Sequence, residues 1–101
     1  MVILYVTFGG TATADNFILS SDRRLKDNIE TISSEEVKVD WKSFNMKGDS
    51  QKRYGVVAQE LEEVHPEFVR TDKEGMKSVA YIDLLIAKIA ELENRLEQLE
   101  K

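Results

Sequence analysis

A hydroxyl and an amine stand five residues apart in Ser20-Ser21-Asp22-Arg23-Arg24-Leu25-Lys26, the stretch of this 101-residue chain whose residue types suggest reaction chemistry. Serine is a weak nucleophile and needs a neutral base beside it. An amine is such a base only when unprotonated, a form favoured by burial and by nearby cations. Arg23 and Arg24 join Lys26 to put three cations in four positions, with Asp22 and Asp27 opposing them. The spacing alone carries little weight, since an ordinary polar loop meets it easily. Its place counts for more: it lies where a β-like beginning gives way to a mixed body.

The remaining chemistry-bearing residues point elsewhere. There is no cysteine, which excludes disulfides, thiolate metal sites and a cysteine nucleophile. One histidine builds no ordinary zinc site, and His65, between Val64 and Pro66, reads as a capping or surface group. Glu60, Glu62 and Glu63 read as a solvated helix face rather than an acid–base pair, as do Glu30, Glu35 and Glu36. Gly9-Gly10 lacks the later glycine and following helix of a phosphate loop. With 14 Lys+Arg against 19 Asp+Glu and a net charge of −5, nucleic acid is a poor partner and a DNA-binding regulator is disfavoured. The apolar start, Met1 to Phe8, is too short for a membrane span and has no cationic lead for a signal peptide. At 42% hydrophobic, the chain predicts one small domain.

The elements around the Ser21–Lys26 stretch follow from local pattern. Val2, Leu4 and Val6 alternate with Ile3, Tyr5 and Thr7 as a strand, Gly9-Gly10 turns, and Thr11 to Leu19 reads as a second extended piece. Ser33 to Glu36 has the form of a capping box before a short helix. Val37, Val39 and Trp41 alternate with charged residues, as in a half-buried strand. Lys47 to Lys52 reads as a solvated turn and Arg53 to Val57 as another strand. Ala58 to His65 is a short amphipathic helix that Pro66 helps to end. Asp72-Lys73-Glu74-Gly75 makes a hairpin of the flanking runs Phe68–Thr71 and Met76–Tyr81. The expected core is Trp41, Phe44, Val57, Leu61 and Phe68.

The last segment carries the clearest periodicity. Ile82, Leu85, Ile89, Leu92, Leu96 and Leu99 recur in steps of 3, 4, 3, 4 and 3, as a and d positions of a heptad. Lys88 and Arg95 then fall at g, with Glu93 and Glu100 at the following e positions, an arrangement that supports parallel helices in register. A helix folded onto its own domain shares the repeat, but these charges and the polar outer face after Ala90 favour pairing between chains. Isoleucine at a with leucine at d favours dimers, and Leu96 at an a position weakens that preference.

Ser21-Asp22-Arg23-Arg24-Leu25-Lys26-Asp27-Asn28-Ile29 resembles the opening signature of the intramolecular chaperone auto-processing domains, the S74 peptidase family, found at the ends of phage tail spikes, tail fibres and endosialidases. Later pieces are similar in order: Tyr54-Gly55-Val56-Val57-Ala58-Gln59-Glu60-Leu61-Glu62, Pro66-Glu67-Phe68-Val69, and Ser78-Val79-Ala80-Tyr81 before the final helix. The likeness covers about residues 20–101.

The resemblance implies a small α+β domain of short strands and helices, homotrimeric, over residues 21–101, ending in a coiled-coil helix at about 82–101. Residues 1–20 would be the last strands of the upstream fibre, or a remnant of them. It further implies that three copies register that fibre for folding in the host cytoplasm, and that the domain then cuts itself away from the virion fibre. The cut would fall between Ser20 and Ser21, with Ser21 as nucleophile and Lys26 as general base, a recognised serine–lysine variant. Asp22, Arg23 and Arg24 would modulate the amine's protonation. Because Ser21 adjoins the scissile bond, its attack is intramolecular. The partners implied are further copies of the chain and the attached fibre, with no cofactor, metal, nucleic acid or membrane. A module of another class, one that trimerises the fibre without cutting it, accounts for the heptads equally well.

Overall fold

The computed structural model describes residues 12–32 and 35–100. It divides into two units, Met1–Glu30 and Thr31–Lys101. In the first, residues 12–20 form no strand and are solvent-exposed, so the second extended piece is not a strand among the described residues. A strand needs a ladder partner to satisfy its backbone, and no described segment pairs with this one. The strand read at residues 2–8 and the turn at Gly9-Gly10 lie outside the described residues. Among the described residues of this unit the regular structure is a single 3-10 turn, Arg23–Leu25.

The second unit is α+β. Strands β1 (Lys42–Phe44) and β2 (Arg53–Gly55) pair antiparallel, with Ser43 opposite Tyr54. Helix α1 (Ala58–Val64) follows, then a 3-10 turn at Pro66–Phe68. Strands β3 (Val69–Thr71) and β4 (Lys77–Val79) form a second antiparallel pair, and helix α2 (Tyr81–Leu99) completes the unit. The β3–β4 turn is held by Asp72, whose carboxylate accepts the Glu74 and Met76 N–H groups at 2.9 Å each. Gly75 supplies the φ of +84° there that a side chain would strain.

Val37, Leu61, Val69 and Leu84 are buried, with Val39, Val56, Ala58, Phe68, Val79 and Ala87 packed around them. This corrects the expected core. Leu61 and Phe68 belong to it, but Trp41 is 48% exposed and Val57 lies at the surface. The alternation begins as read, with Val37 and Val39 inward, then changes phase: Lys42 and Phe44 turn inward and Trp41 outward. The strand starts only at Lys42, where the register with Gly55 sets the faces. A side chain at Gly55 would meet the Tyr81 hydroxyl, which instead accepts the Val56 N–H at 3.0 Å. The helix expected after the capping box is also absent, since residues 35–41 are non-helical; Ser33 itself lies outside the described residues. Lys88 Nζ donates to the Val37 carbonyl at 2.9 Å, and the Lys38 N–H donates to His65 Nε2 at 3.1 Å, so this segment is held by tertiary contacts.

Leu84 is fully buried, 0% exposed, in the middle of this small core. Leu84→Ala is expected to cost about 3 kcal/mol, most of what a core this size supplies. Thermal denaturation should show a Tm lower by more than about 10 °C.

Candidate active site

The Ser21–Lys26 segment is closed into one compact turn. Asp22 caps it: its Oδ1 accepts the Arg24 N–H at 2.9 Å and its carbonyl accepts the Leu25 N–H at 3.0 Å. Aspartate is among the preferred capping residues because its short carboxylate reaches an unsatisfied N–H two or three positions on. The Lys26 N–H closes on the Arg23 carbonyl at 3.1 Å. Arg24 folds back on Asp22, with Nε 3.1 Å from Oδ1 and Nη2 3.0 Å from Oδ2. This two-pronged hydrogen bond, then the backbone bond, holds the Asp22 carboxyl below the usual carboxylate range, and the same contact raises the Arg24 guanidinium. Beyond the turn, Asn28 takes a left-handed φ of +54°, which asparagine tolerates better than most residues.

Within this turn Lys26 Nζ donates to Ser21 Oγ at 2.6 Å. Five fully extended residues would span roughly 16 Å, so the turn is what brings hydroxyl and amine into contact. Both side chains are exposed. Of the three charged neighbours, Asp22 and Arg24 are engaged with each other, and Arg23 contributes its carbonyl to the turn. An aspartate two residues before an otherwise unsatisfied N–H is the local signal for this cap.

The heptad residues lie on a different face of α2 from the one the domain covers. Leu84, Ala87, Lys88 and Glu91 face inward. Ile82, Leu85, Ile89, Leu92, Leu96 and Leu99 are 45–82% exposed, and Ile86 widens the open stripe. The g-position charges are engaged within the chain. Lys88 Nζ lies 2.7 Å from Glu91 Oε1, and Arg95 Nη2 lies 2.7 Å from Glu91 Oε2 and 3.5 Å from Glu36. The i, i+3 and i, i+4 spacing of Lys88, Glu91 and Arg95 was visible in the sequence, but only the fold buries Glu91, at 4% exposure.

The Lys88 hydrogen bond, followed by one from the Val37 backbone and the Arg95 charge, holds the Glu91 carboxyl below its ordinary range against the opposing effect of burial. A carboxylate with a depressed folded-state pKa stabilises the fold above its unfolded pKa of about 4.3. That contribution is lost as pH falls through the folded value. Glu91→Gln is therefore expected to lower Tm at pH 7, with the gap from the parent narrowing as melts are run toward pH 3.

His65 caps the end of α1. Its Nε2 accepts from Lys38 and its Nδ1 lies 3.0 Å from Glu67 Oε1, an arrangement that calls for the Nδ1–H tautomer. Glu62 pairs with Lys77 of β4 at 3.0 Å, and Glu60 lies 4.0 Å from Lys42. Among the described residues no group of three or more His, Asp or Glu side chains could hold a metal ion, and no helix is long and apolar enough to cross a membrane.

Residues 21–70, which begin at the contacted serine, match the peptidase S74 family, described as the chaperone of endosialidase. The chain belongs to the chaperone-of-endosialidase family. A probable tail fiber protein of Escherichia phage Phieco32 is 34% identical over 113 aligned positions, which cover 94% of this chain and 16% of that protein. The chain thus spans about one sixth of the length of this curated relative. No solved structure matches.

Proposed function

We propose that this domain assembles as a homotrimer, brings three copies of an attached phage fibre into register for folding, and then releases itself by cutting between Ser20 and Ser21. The observation that carries the cutting step is the 2.6 Å contact between Lys26 Nζ and Ser21 Oγ. With Lys26 neutral, its nitrogen accepts the hydroxyl proton as Oγ attacks the Ser20 carbonyl carbon. The Oγ–C bond forms, the C–N bond breaks, and the proton passes to the departing Ser21 amide nitrogen, which becomes an amine. The product is an ester between Ser20 and Ser21. Water then adds to the ester carbonyl and returns a proton to Oγ, leaving a Ser20 carboxyl and a domain that begins at Ser21.

Assembly acts as the trigger in this reading. Both side chains are exposed in the single chain. Packing of neighbouring copies around the turn dries the amine and favours its neutral form. The open Ile82–Leu99 stripe supplies the assembly surface, since apolar residues at a and d that their own domain leaves uncovered are what a coiled coil buries. The trimer number comes from the family resemblance. The setting is the host cytoplasm during virion assembly.

The test is chemical. Hydroxylamine attacks esters and spares amides, so it should speed release and leave a hydroxamate at the Ser20 carboxyl end. Sequencing of the released domain should begin at Ser21, and the mass should fall by about 2 kDa for residues 1–20. A domain that trimerises and keeps its full mass under every condition would instead be the non-cutting fibre module.

A further inference from the structure

The bonds that bend the chain between the hydroxyl and the amine converge on Asp22. Its carboxylate takes the Arg24 N–H, Nε and Nη2, and its carbonyl takes the Leu25 N–H. The remaining backbone bond of the turn, from Lys26 to the Arg23 carbonyl, spans the same three residues that Asp22 caps. Among the described residues Ser21 and Lys26 are both exposed, so their meeting depends on the turn itself.

We propose that Asp22 is a positioning residue for the self-cleavage reaction, holding Ser21 Oγ against Lys26 Nζ by capping the intervening turn, with the Arg24 guanidinium locking the cap. This rests on the reading of Ser21 and Lys26 as nucleophile and base. It differs from the expectation that Asp22 and Arg24 act through charge. Their opposite charges sit on each other at 3.0 Å, so the pair presents little net field to the amine. What the pair does supply is geometry, and misplacing a reacting group by about 1 Å can cost about a hundredfold in rate.

The two roles separate by substitution. Asn caps a turn as well as Asp does, but it carries no charge. Asp22→Asn therefore keeps the cap on the Arg24 N–H and should cleave within about threefold of the parent, whereas Asp22→Ala should cleave at least tenfold more slowly. Arg24→Ala, which keeps the cap and loses the lock, should fall between them. In all three the pH at which the rate reaches half its maximum should stay where it is in the parent. A shifted half-maximum, or Asp22→Asn as slow as Asp22→Ala, would assign the residue to charge and overturn the inference.

A direct readout keeps the test independent of cleavage. NMR of the uncleaved chain should show a cross-relaxation contact between the Ser21 β-protons and the Lys26 side-chain methylenes. It should be retained in Asp22→Asn and lost in Asp22→Ala, together with faster exchange of the Arg24 and Leu25 amides. If the contact survives in Asp22→Ala, the positioning role is wrong, whatever the rates. If Lys26→Ala cleaves normally while the contact behaves as expected, the turn is as inferred and it is the base assignment that fails.

Discussion

Lys26→Ala should leave the chain at full length while its oligomer stays intact. In the proposed mechanism Lys26, whose Nζ lies 2.6 Å from the Ser21 hydroxyl, is the base, and general-base catalysis contributes about 10²–10⁴ in rate. Ser21→Ala removes the proposed nucleophile and should abolish the cut. The two losses should not add when combined, because a nucleophile and its base act as one unit. Both residues lie on an exposed turn and contribute nothing to the core, so neither substitution should alter folding or assembly. Intact mass after purification reads the first effect and light scattering reads the second. Normal processing by Lys26→Ala would remove the amine from the mechanism.

The second large effect belongs to the open face of α2. Ile89→Asp should turn the assembly into monomers while the domain remains folded. Ile89 is 54% exposed in the single chain, so little of the domain's own packing is lost. In a trimer the same side chain is buried three times. Losing about 1.5 kcal/mol of burial in each copy removes over 4 kcal/mol from the assembly. A thousandfold or greater weakening follows, before the added cost of burying three carboxylates. Sedimentation velocity measures the mass, and circular dichroism checks that the helix persists. If assembly triggers cutting, Ile89→Asp should also stay uncleaved, although the Ser21–Lys26 turn lies far from it in sequence. A trimer that survives the substitution would show that some other surface holds the copies together.

Ile89→Asp and Leu84→Ala together separate the faces of one helix. Leu84 serves the fold of the single chain, whereas in the proposed trimer Ile89 serves the contact between chains. Their difference in exposure, 0% against 54%, sets which quantity each substitution changes.

Much of this arrangement could be read along the chain, wherever the signal is short-range. Gly75 after Asp72 marks the β3–β4 turn because glycine adopts a left-handed φ without a clash. Pro66 ends α1 because proline disfavours helical geometry in the residue before it. The 3–4 spacing of apolar residues sets α2, and the four residues between Ser21 and Lys26 leave room for a turn that joins them. Folding settled the matters that depend on residues far apart. Helix α2 carries two apolar stripes, and which one turns inward depended on Val37, whose carbonyl meets Lys88 across 51 positions of sequence. That choice drew Lys88 and Arg95 into the chain's own ion cluster with Glu91 and left the heptad stripe open. Trp41 went outward for a similar reason. A period-two pattern states that faces alternate, whereas the partner strand, pairing Lys42 with Gly55, decides which residue begins the count.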